Sequence, residues 1–394
     1  MSNEAAPMRV GLIGTGRISD IYLKNCALFD NVDIVACGSL NMDESRAKAA
    51  TYSVPRVASP DHIIADPEID TILNLTIPAA HAEVSCAALE AGKHVYSEKP
   101  FVTDLKDGQR ILDLAASKGL LVGNAPDTFF GGRWQTVRKM LDQGAIGEPT
   151  GIAAFVPTHG VERHHPNPDF YYAQGGGPLL DLGPYYLAAM VFCLGPIARV
   201  AGLSRQTFPE RMIENGPRHG EMMPVKVDTH CLSLMQFESG VIGQMMVSFD
   251  VWESETPRLE IYGTEGTLCI PDPDPGDGAN IFQGEVWLRT RATSRWAMRP
   301  RPKAPAEWEV VANTHGLNFD ARGVGLAELA WAAKEKRQPR ASGALGQHLC
   351  EVMQGMLDSP GIGQFVDIKS TCSRPAILPE TQETGLNVNL GINS

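Results

Sequence analysis

The chain lacks any excess of positive charge: 46 acidic side chains against 34 basic ones leave a formal net charge of −12 over 394 residues. A phosphate backbone repels such a surface, which excludes a nucleic-acid partner. Long apolar runs are missing as well. The longest, near Tyr186 to Ala198, is too short to cross a bilayer, so no membrane span is expected. The eight cysteines, at positions 26, 37, 86, 193, 231, 269, 350 and 372, include no CxxC pair and mostly sit in apolar surroundings such as Val191-Phe-Cys193-Leu. Buried free thiols in a reducing compartment are the expectation. Met1-Ser-Asn-Glu-Ala-Ala-Pro has neither the basic start nor the apolar stretch of a signal peptide, which predicts a cytoplasmic protein. Internal repeats and low-complexity tracts are also absent.

What is present is an ordinary soluble composition, 43% apolar and 20% charged, in a chain long enough for two cores. Strand and helix signals alternate at first: strands at 9–13, 32–37, 71–76, 94–97 and 120–123, with helices at 18–28, 43–52, 81–91 and 105–117. That rhythm predicts an α/β, doubly wound parallel sheet. After about Asn124 it changes to long strands at 225–237, 240–252, 258–263 and 267–270 joined by tight turns, then helices at 323–336 and 345–358. A large, open, mostly antiparallel sheet is expected there. The predicted division is a Rossmann dinucleotide-binding domain over 1–125 and an α+β substrate and oligomerisation domain over 126–394, whose last helices can pack back on the first. Pro271 to Gly278 reads as a surface loop. The basic run Arg289, Arg291, Arg295, Arg299, Arg301 and Lys303 around Trp296 reads as a solvated hairpin flank.

The first strand, Val10-Gly-Leu-Ile, turns through Gly14-Thr15-Gly16-Arg17-Ile18-Ser19 into a helix. Glycine is needed where backbone passes close to phosphate oxygens, and a helix N-terminus favours their charge. Gly14 and Gly16 fit the first two glycines of a dinucleotide fingerprint, and Ser19 stands small at the third. The turn residues Gly14, Thr15, Gly16, Arg17 and Ile18 are therefore candidate cofactor contacts. An acid at the end of the second strand would bind NAD's ribose hydroxyls and repel the extra phosphate of NADP. Here that position is Ser39, uncharged, with no adjoining arginine. NAD and NADP are both permitted, with a slight lean to NADP.

A second informative stretch is Ala91-Gly-Lys-His-Val-Tyr-Ser-Glu98-Lys99-Pro100, which places a lysine at a strand end beside a carboxylate. A half-buried ammonium close to a nicotinamide cation has its pKa pushed down, which suits it to relay a proton at neutral pH. Together with Asn74-Leu-Thr-Ile-Pro78-Ala-Ala-His81, this stretch resembles the glucose–fructose oxidoreductase, inositol dehydrogenase and MocA superfamily, over essentially the whole chain. The resemblance implies a Rossmann domain followed by an open-faced α/β domain. It also implies that Lys99 lies by the nicotinamide and the substrate hydroxyl, with Thr76, Ile77, Pro78, His81 and Glu98 lining the cofactor.

The superfamily's other signature is a glycine-rich turn, an aspartate and, four residues on, a histidine. This chain reads Gly175-Gly-Gly-Pro-Leu-Leu-Asp181-Leu-Gly-Pro-Tyr185-Tyr186. Asp181 is in place, but Tyr185 stands where histidine is usual, on the same helix face. Either Tyr185 carries the proton, with Lys99 as the cation that lowers its pKa, or Lys99 does so while Tyr185 orients a hydroxyl. Asp127, in Asp127-Thr-Phe-Phe130, and His164 and His165, in a loop rich in aromatics, are candidate sugar contacts. Either histidine could serve as proton carrier. No third ligand at metal spacing accompanies them, so no metal is expected. The implied activity is hydride transfer between a nicotinamide and a hydroxyl-bearing carbon of a sugar, polyol or sugar derivative. A redox-neutral NAD-dependent glycosidase and a non-enzymatic dinucleotide sensor are the alternatives. One uncovered sheet face suggests a homodimer or homotetramer.

Overall fold

The computed structural model describes residues 6–256, 258–271, 282–298, 300, 307–315 and 317–379. Two compact units divide them. The first runs to Phe130 and takes in Ala321–Cys350; the second comprises Gly131–Asp320 and Glu351–Ile377.

The first unit begins with β1 (Met8–Ile13), α1 (Ser19–Cys26), β2 (Val32–Gly38), α2 (Met42–Tyr52), β3 (Arg56–Val57) and α3 (Pro60–Ala65). It continues through β4 (Thr71–Asn74), α4 (His81–Glu90), β5 (His94–Ser97), α5 (Leu105–Lys118) and β6 (Val122–Asn124). The strands form one parallel sheet in the order β3-β2-β1-β4-β5-β6. Helices cover both faces, which is why β4, β5 and β6 read as unbroken buried runs. Local chemistry sets the helix ends. Asn41 caps α2 by accepting from Glu44 N, and Asp104 caps α5 by accepting from Lys106 N at 2.9 Å. Ile111 and Ala115 of α5 join Ala88, Leu89, Val95 and Val122 in the core. Each large aliphatic so buried contributes about 1.5–3 kcal/mol.

The second unit holds α6 (Gly132–Asp142), β7 (Pro149–Pro157), α7 (Asp169–Tyr172), α8 (Pro178–Leu194), β8 (Ile197–Arg205), β9 (Glu210–Met212) and β10 (Met222–Pro224). After these come β11 (His230–Phe237), β12 (Ile242–Ser248), β13 (Leu259–Gly263), β14 (Gly266–Ile270), β15 (Val286–Thr290) and β16 (Glu309–Val311). The chain then supplies α9 (Val324–Glu335) to the first unit, and closes with α10 (Gly343–Ile362) and β17 (Val366–Asp367). Nine strands make a sheet ordered β16-β15-β14-β13-β7-β12-β11-β8-β17, while β9 and β10 form a separate ribbon.

That sheet is antiparallel apart from one pair. β7 runs parallel to β12, a pairing without a sequence signal. Two expected strands are shorter than predicted. The 225–237 stretch enters the sheet only at His230, because before that Val225 N bonds Pro209 O and Lys226 N bonds Tyr172 O instead of a sheet strand. The 240–252 stretch ends at Ser248, where the chain turns through Phe249 and Asp250. One face of the sheet packs on α8 and on the later turns of α10; a Cβ on Gly202 would stand 2.9 Å from Met356 O. The opposite face keeps Leu203, Leu232 and Leu234 exposed around a groove of about 330 Å³, and Ile242 exposed as well. Of the expected loop at 271–278 only Pro271 is described. Arg299, Arg301 and Lys303 lie outside the described residues, while Arg291 pairs with Glu265 at 3.6 Å and Arg289 lies over Trp308.

The uncovered face generates a prediction. A stable interface buries roughly 1,000 Å² or more, and four exposed aliphatics on a flat sheet suit a second copy of the same face. Light scattering on the purified chain is expected to show a dimer or tetramer, and the pair Leu232→Lys with Leu234→Lys to release a smaller species. A monomeric parent would refute the assignment.

Candidate active site

All six strands of the first unit's sheet run the same way, so the residues that follow β1, β2, β4 and β5 share one edge. The strand order reverses between β1 and β4, the switch point at which such sheets bind ligands. Gly14 leaves β1 with φ +107°, and a Cβ there would stand 2.4 Å from the Leu75 carbonyl beyond β4. Only glycine lets the turn pass so close. Gly16, by contrast, has nothing within 4 Å of its notional Cβ. Open space beside that backbone, at the head of α1, fits the pyrophosphate of a dinucleotide. Ser19 does what the third glycine would do: it is buried, and its hydroxyl closes on Gly16 O at 2.7 Å.

At the end of β2, Ser39 joins Thr15 and Ser45 in a triangle of hydroxyls, with separations of 2.9, 3.1 and 2.9 Å. Leu40 beyond it is almost fully exposed. No acid occupies the place where the ribose carboxylate of NAD enzymes stands.

After β4, Asn74 Oδ1 accepts from Thr76 Oγ1 at 2.7 Å, while its amide donates to His81 O and Ser85 Oγ. Thr76 is half-buried, and Ile77 and Pro78 face outward. His81, expected to line the cofactor, is instead buried with Nδ1 2.7 Å from Pro100 O and Nε2 3.0 Å from Thr76 O. Burial holds its pKa below the usual value, although both carbonyls act against this. A neutral ring donates to only one of them at a time. Its part is to tie the segments after β4 and β5 together.

Lys99 follows β5 and is half-buried. Its backbone N donates to Glu98 Oε2 at 2.8 Å, and Glu98 Oε1 accepts from Tyr22 at 2.8 Å. Glu98 too was expected at the cofactor, yet its carboxylate turns inward and is buried. Asn124 at the end of β6 donates to both Ser97 O and Glu98 O, at 2.9 and 3.1 Å. Asn74, Asn124 and Tyr22 are residues that sequence reasoning left unassigned. A polar residue ending an apolar strand was the available signal for the two asparagines.

Asp127 departs furthest from expectation. Rather than facing a substrate it is 1% exposed, and Oδ2 accepts from Gly323 N and Gly325 N, both at 3.0 Å, at the start of α9. Its carboxylate caps a helix inside the first unit. Burial raises its pKa to about 6, outweighing the two N–H donors and Arg322.

In the second unit, Asp181 and Tyr185 lie four residues apart on α8, and both are half-buried. Tyr186 takes the core position, which leaves Tyr185 on the face it shares with Asp181. Gly177 packs against Asp228 O, so α8 starts at the sheet end where β11 begins and β12 finishes. The loop after β7 reaches the same end, since Thr158 N bonds Ser248 O and Val251 N bonds Thr158 O. A buried ionic cluster holds that loop. Arg211 bonds the Glu162 carboxylate at 2.5 Å and also reaches Asp250 and Phe249 O, while Tyr172 donates to Glu162. On the loop, His164 is exposed, and His165 is half-buried with its ring edge-on to Phe170 and Tyr171. Trp252, exposed and stacked on His159 at 3.3 Å, was not anticipated. Among the described residues no group of His, Cys, Asp or Glu could hold a metal, and no helix is long and apolar enough to cross a membrane.

Comparison with known proteins agrees with this geometry. Residues 8–125 match the oxidoreductase family with an NAD-binding Rossmann fold, and residues 134–269 match the GFO/IDH/MocA C-terminal domain. The chain is 30% identical over 269 residues to dTDP-3,4-didehydro-2,6-dideoxy-alpha-D-glucose 3-reductase of Streptomyces violaceoruber, covering 67% of this chain and 72% of that protein. It is 26% identical over 267 residues to 1,5-anhydro-D-fructose reductase of Ensifer adhaerens, covering 66% and 74%. Among solved structures, levoglucosan dehydrogenase in its apo form shares the fold, with a TM-score of 0.78 at 19% identity over 93% of this chain and 100% of that one. The chain belongs to the GFO/IDH/MocA oxidoreductase family and is an NAD(P)-dependent oxidoreductase.

The Asp127 cap gives a pH prediction. A carboxyl whose folded pKa is raised from 3.8 to about 6 stabilises the fold fully below the lower value, and that contribution is lost as the pH rises through about 6. Asp127→Asn keeps an acceptor for both glycine N–H groups and removes the titration. Its melting temperature is expected to stay flatter between pH 4 and 7 than that of the parent. Parallel curves would show that Asp127 does not titrate in this range.

Proposed function

We propose that the protein is an NAD(P)-dependent dehydrogenase or reductase of a sugar, polyol or sugar derivative. The observation that carries this reading is the edge of the first sheet: an open glycine turn at Gly16, and Lys99 anchored through its backbone at a nearby strand end. The names of the relatives, both of them reductases of sugar-type compounds, favour a carbohydrate. A protein of the same fold has been solved with NADH and levoglucosan.

The turn at Gly14–Ile18 would hold the pyrophosphate, Ser39 the adenosine ribose, and Thr76, Ile77 and Pro78 the nicotinamide side. When bound, the nicotinamide supplies the hydride acceptor or donor. Lys99 takes the hydroxyl proton during oxidation and returns it during reduction. Asp181 accepts from substrate hydroxyls and so orients the reacting carbon. Tyr185, one turn on, either orients a hydroxyl or shares the proton transfer; His164 and His165 are further sugar contacts. Asp127 has no place in this set, because its carboxylate is engaged at α9. A reducing, cytoplasmic setting suits the eight thiols, all of them free and buried.

Two measurements test the reading. With NAD and NADP supplied in parallel against polyols, aldoses and sugar derivatives, absorbance at the reduced-nicotinamide band is expected to rise with one substrate class. Lys99→Ala should lower kcat about 10²- to 10⁴-fold, the usual contribution of a positioned acid or base, while dinucleotide binding persists. A fully active Lys99→Ala enzyme removes the assignment. Sugar release from a glycoside without net nicotinamide reduction would point to the glycosidase instead.

On the cofactor we lean to NADP, since the Ser39 triangle carries no charge to repel a 2′-phosphate. Ser39→Asp is expected to move the ratio of kcat/KM values towards NAD by roughly tenfold or more, through like-charge repulsion. An unchanged ratio would show that the ribose is read elsewhere.

A further inference from the structure

Tyr22 lies on α1, one turn beyond Ser19, and is fully buried. A core position there requires only an apolar ring, yet this ring carries a hydroxyl, and the hydroxyl donates to Glu98 Oε1 at 2.8 Å. The other oxygen of the same carboxylate accepts the backbone N–H of Lys99, also at 2.8 Å. Burial, reinforced by the Glu98 carboxylate, holds the Tyr22 phenol well above its ordinary pKa, so it stays protonated and remains a donor. Glu98 is fixed on its backbone as well, through N to Asn74 O at 2.9 Å and through O from the Asn124 amide at 3.1 Å. One helix therefore carries the glycine turn at its head and, three residues past Ser19, the group that grips the residue next to Lys99.

We propose that Tyr22 is a positioning residue for hydride-transfer chemistry: through Glu98, its hydroxyl sets the Lys99 backbone relative to the dinucleotide turn at the head of α1. The proposal rests on the reading of Lys99 as the proton-handling group. Without the hydroxyl, Glu98 Oε1 is left buried without its donor, a costly state for a charged acceptor. Without that donor the carboxylate has lost one of the anchors that fix its rotamer and is freer to rotate. Rotation releases the Lys99 N–H. A reacting group displaced by about 1 Å costs up to about a hundredfold in rate.

The test is a double-mutant cycle of Tyr22→Phe and Lys99→Ala, with kcat and the KM for dinucleotide measured separately. Tyr22→Phe is expected to lower kcat about ten- to a hundredfold and to leave the dinucleotide KM within about twofold. In the Lys99→Ala background the same change should add less than about a twofold loss, because no lysine remains to be placed. Glu98→Gln, which keeps the shape but not the charge, covers the case in which Tyr22→Phe fails to fold; it should show the same kcat loss and the same absence of further effect on Lys99→Ala. Equal losses on both backgrounds would mean a merely structural tyrosine and overturn the proposal. A slow Lys99→Ala beside an unaffected Tyr22→Phe would remove the proposal alone, whereas a fully active Lys99→Ala would remove the functional reading together with it.

Discussion

Every strand of a parallel sheet ends at an edge where its last backbone groups have no further strand to bond, and buried polar backbone must find partners. In this protein four side chains meet that demand along one edge. Asn74 serves the turn after β4, His81 bridges Thr76 O and Pro100 O, Asn124 serves the end of β5, and Glu98 takes the N–H of Lys99. The consequence is a division of labour. Polar groups that turn inward hold the backbone, and that backbone carries Gly16, Thr76 and Lys99 along the same edge. Loss of any inward partner would be felt as misplacement at the edge rather than as a missing contact to ligand.

The same constraint explains which parts of the sequence could be read in advance. Strand and helix positions in the first unit, apart from the unread β3 and α3, were legible because both sheet faces are covered and the helices carry ordinary caps at Asn41, Asp104 and Gly119. The glycine turn was legible because only glycine tolerates the approach of Gly14 to Leu75. The roles of His81 and Glu98 were not. A chain motif says that a polar residue sits near the cofactor, but not whether it faces the ligand or the backbone beneath it. That choice depends on partners such as Pro100 O and Tyr22, which lie 19 and 76 residues away.

Asp127 shows the limit most plainly. Its position after the last strand of the first sheet invited a sugar-binding assignment. Its partners, Gly323 N and Gly325 N, are 196 and 198 residues along the chain and belong to a helix whose return to this unit no local pattern announces. The parallel pairing of β7 with β12 was hidden for the same reason: register between strands so far apart follows from the packing of whole elements.

Two of the candidate positions carry hydroxyls rather than charged groups. At the end of β2, Ser39 stands uncharged in a triangle of hydroxyls that satisfy one another and hold the turn. Tyr185 likewise offers a hydroxyl, on the face of α8 that it shares with Asp181. On the reading proposed for Lys99, the chemistry depends on how rigidly the end of β5 is held. The buried pair of Tyr22 and Glu98 is the part of this structure that meets that dependence.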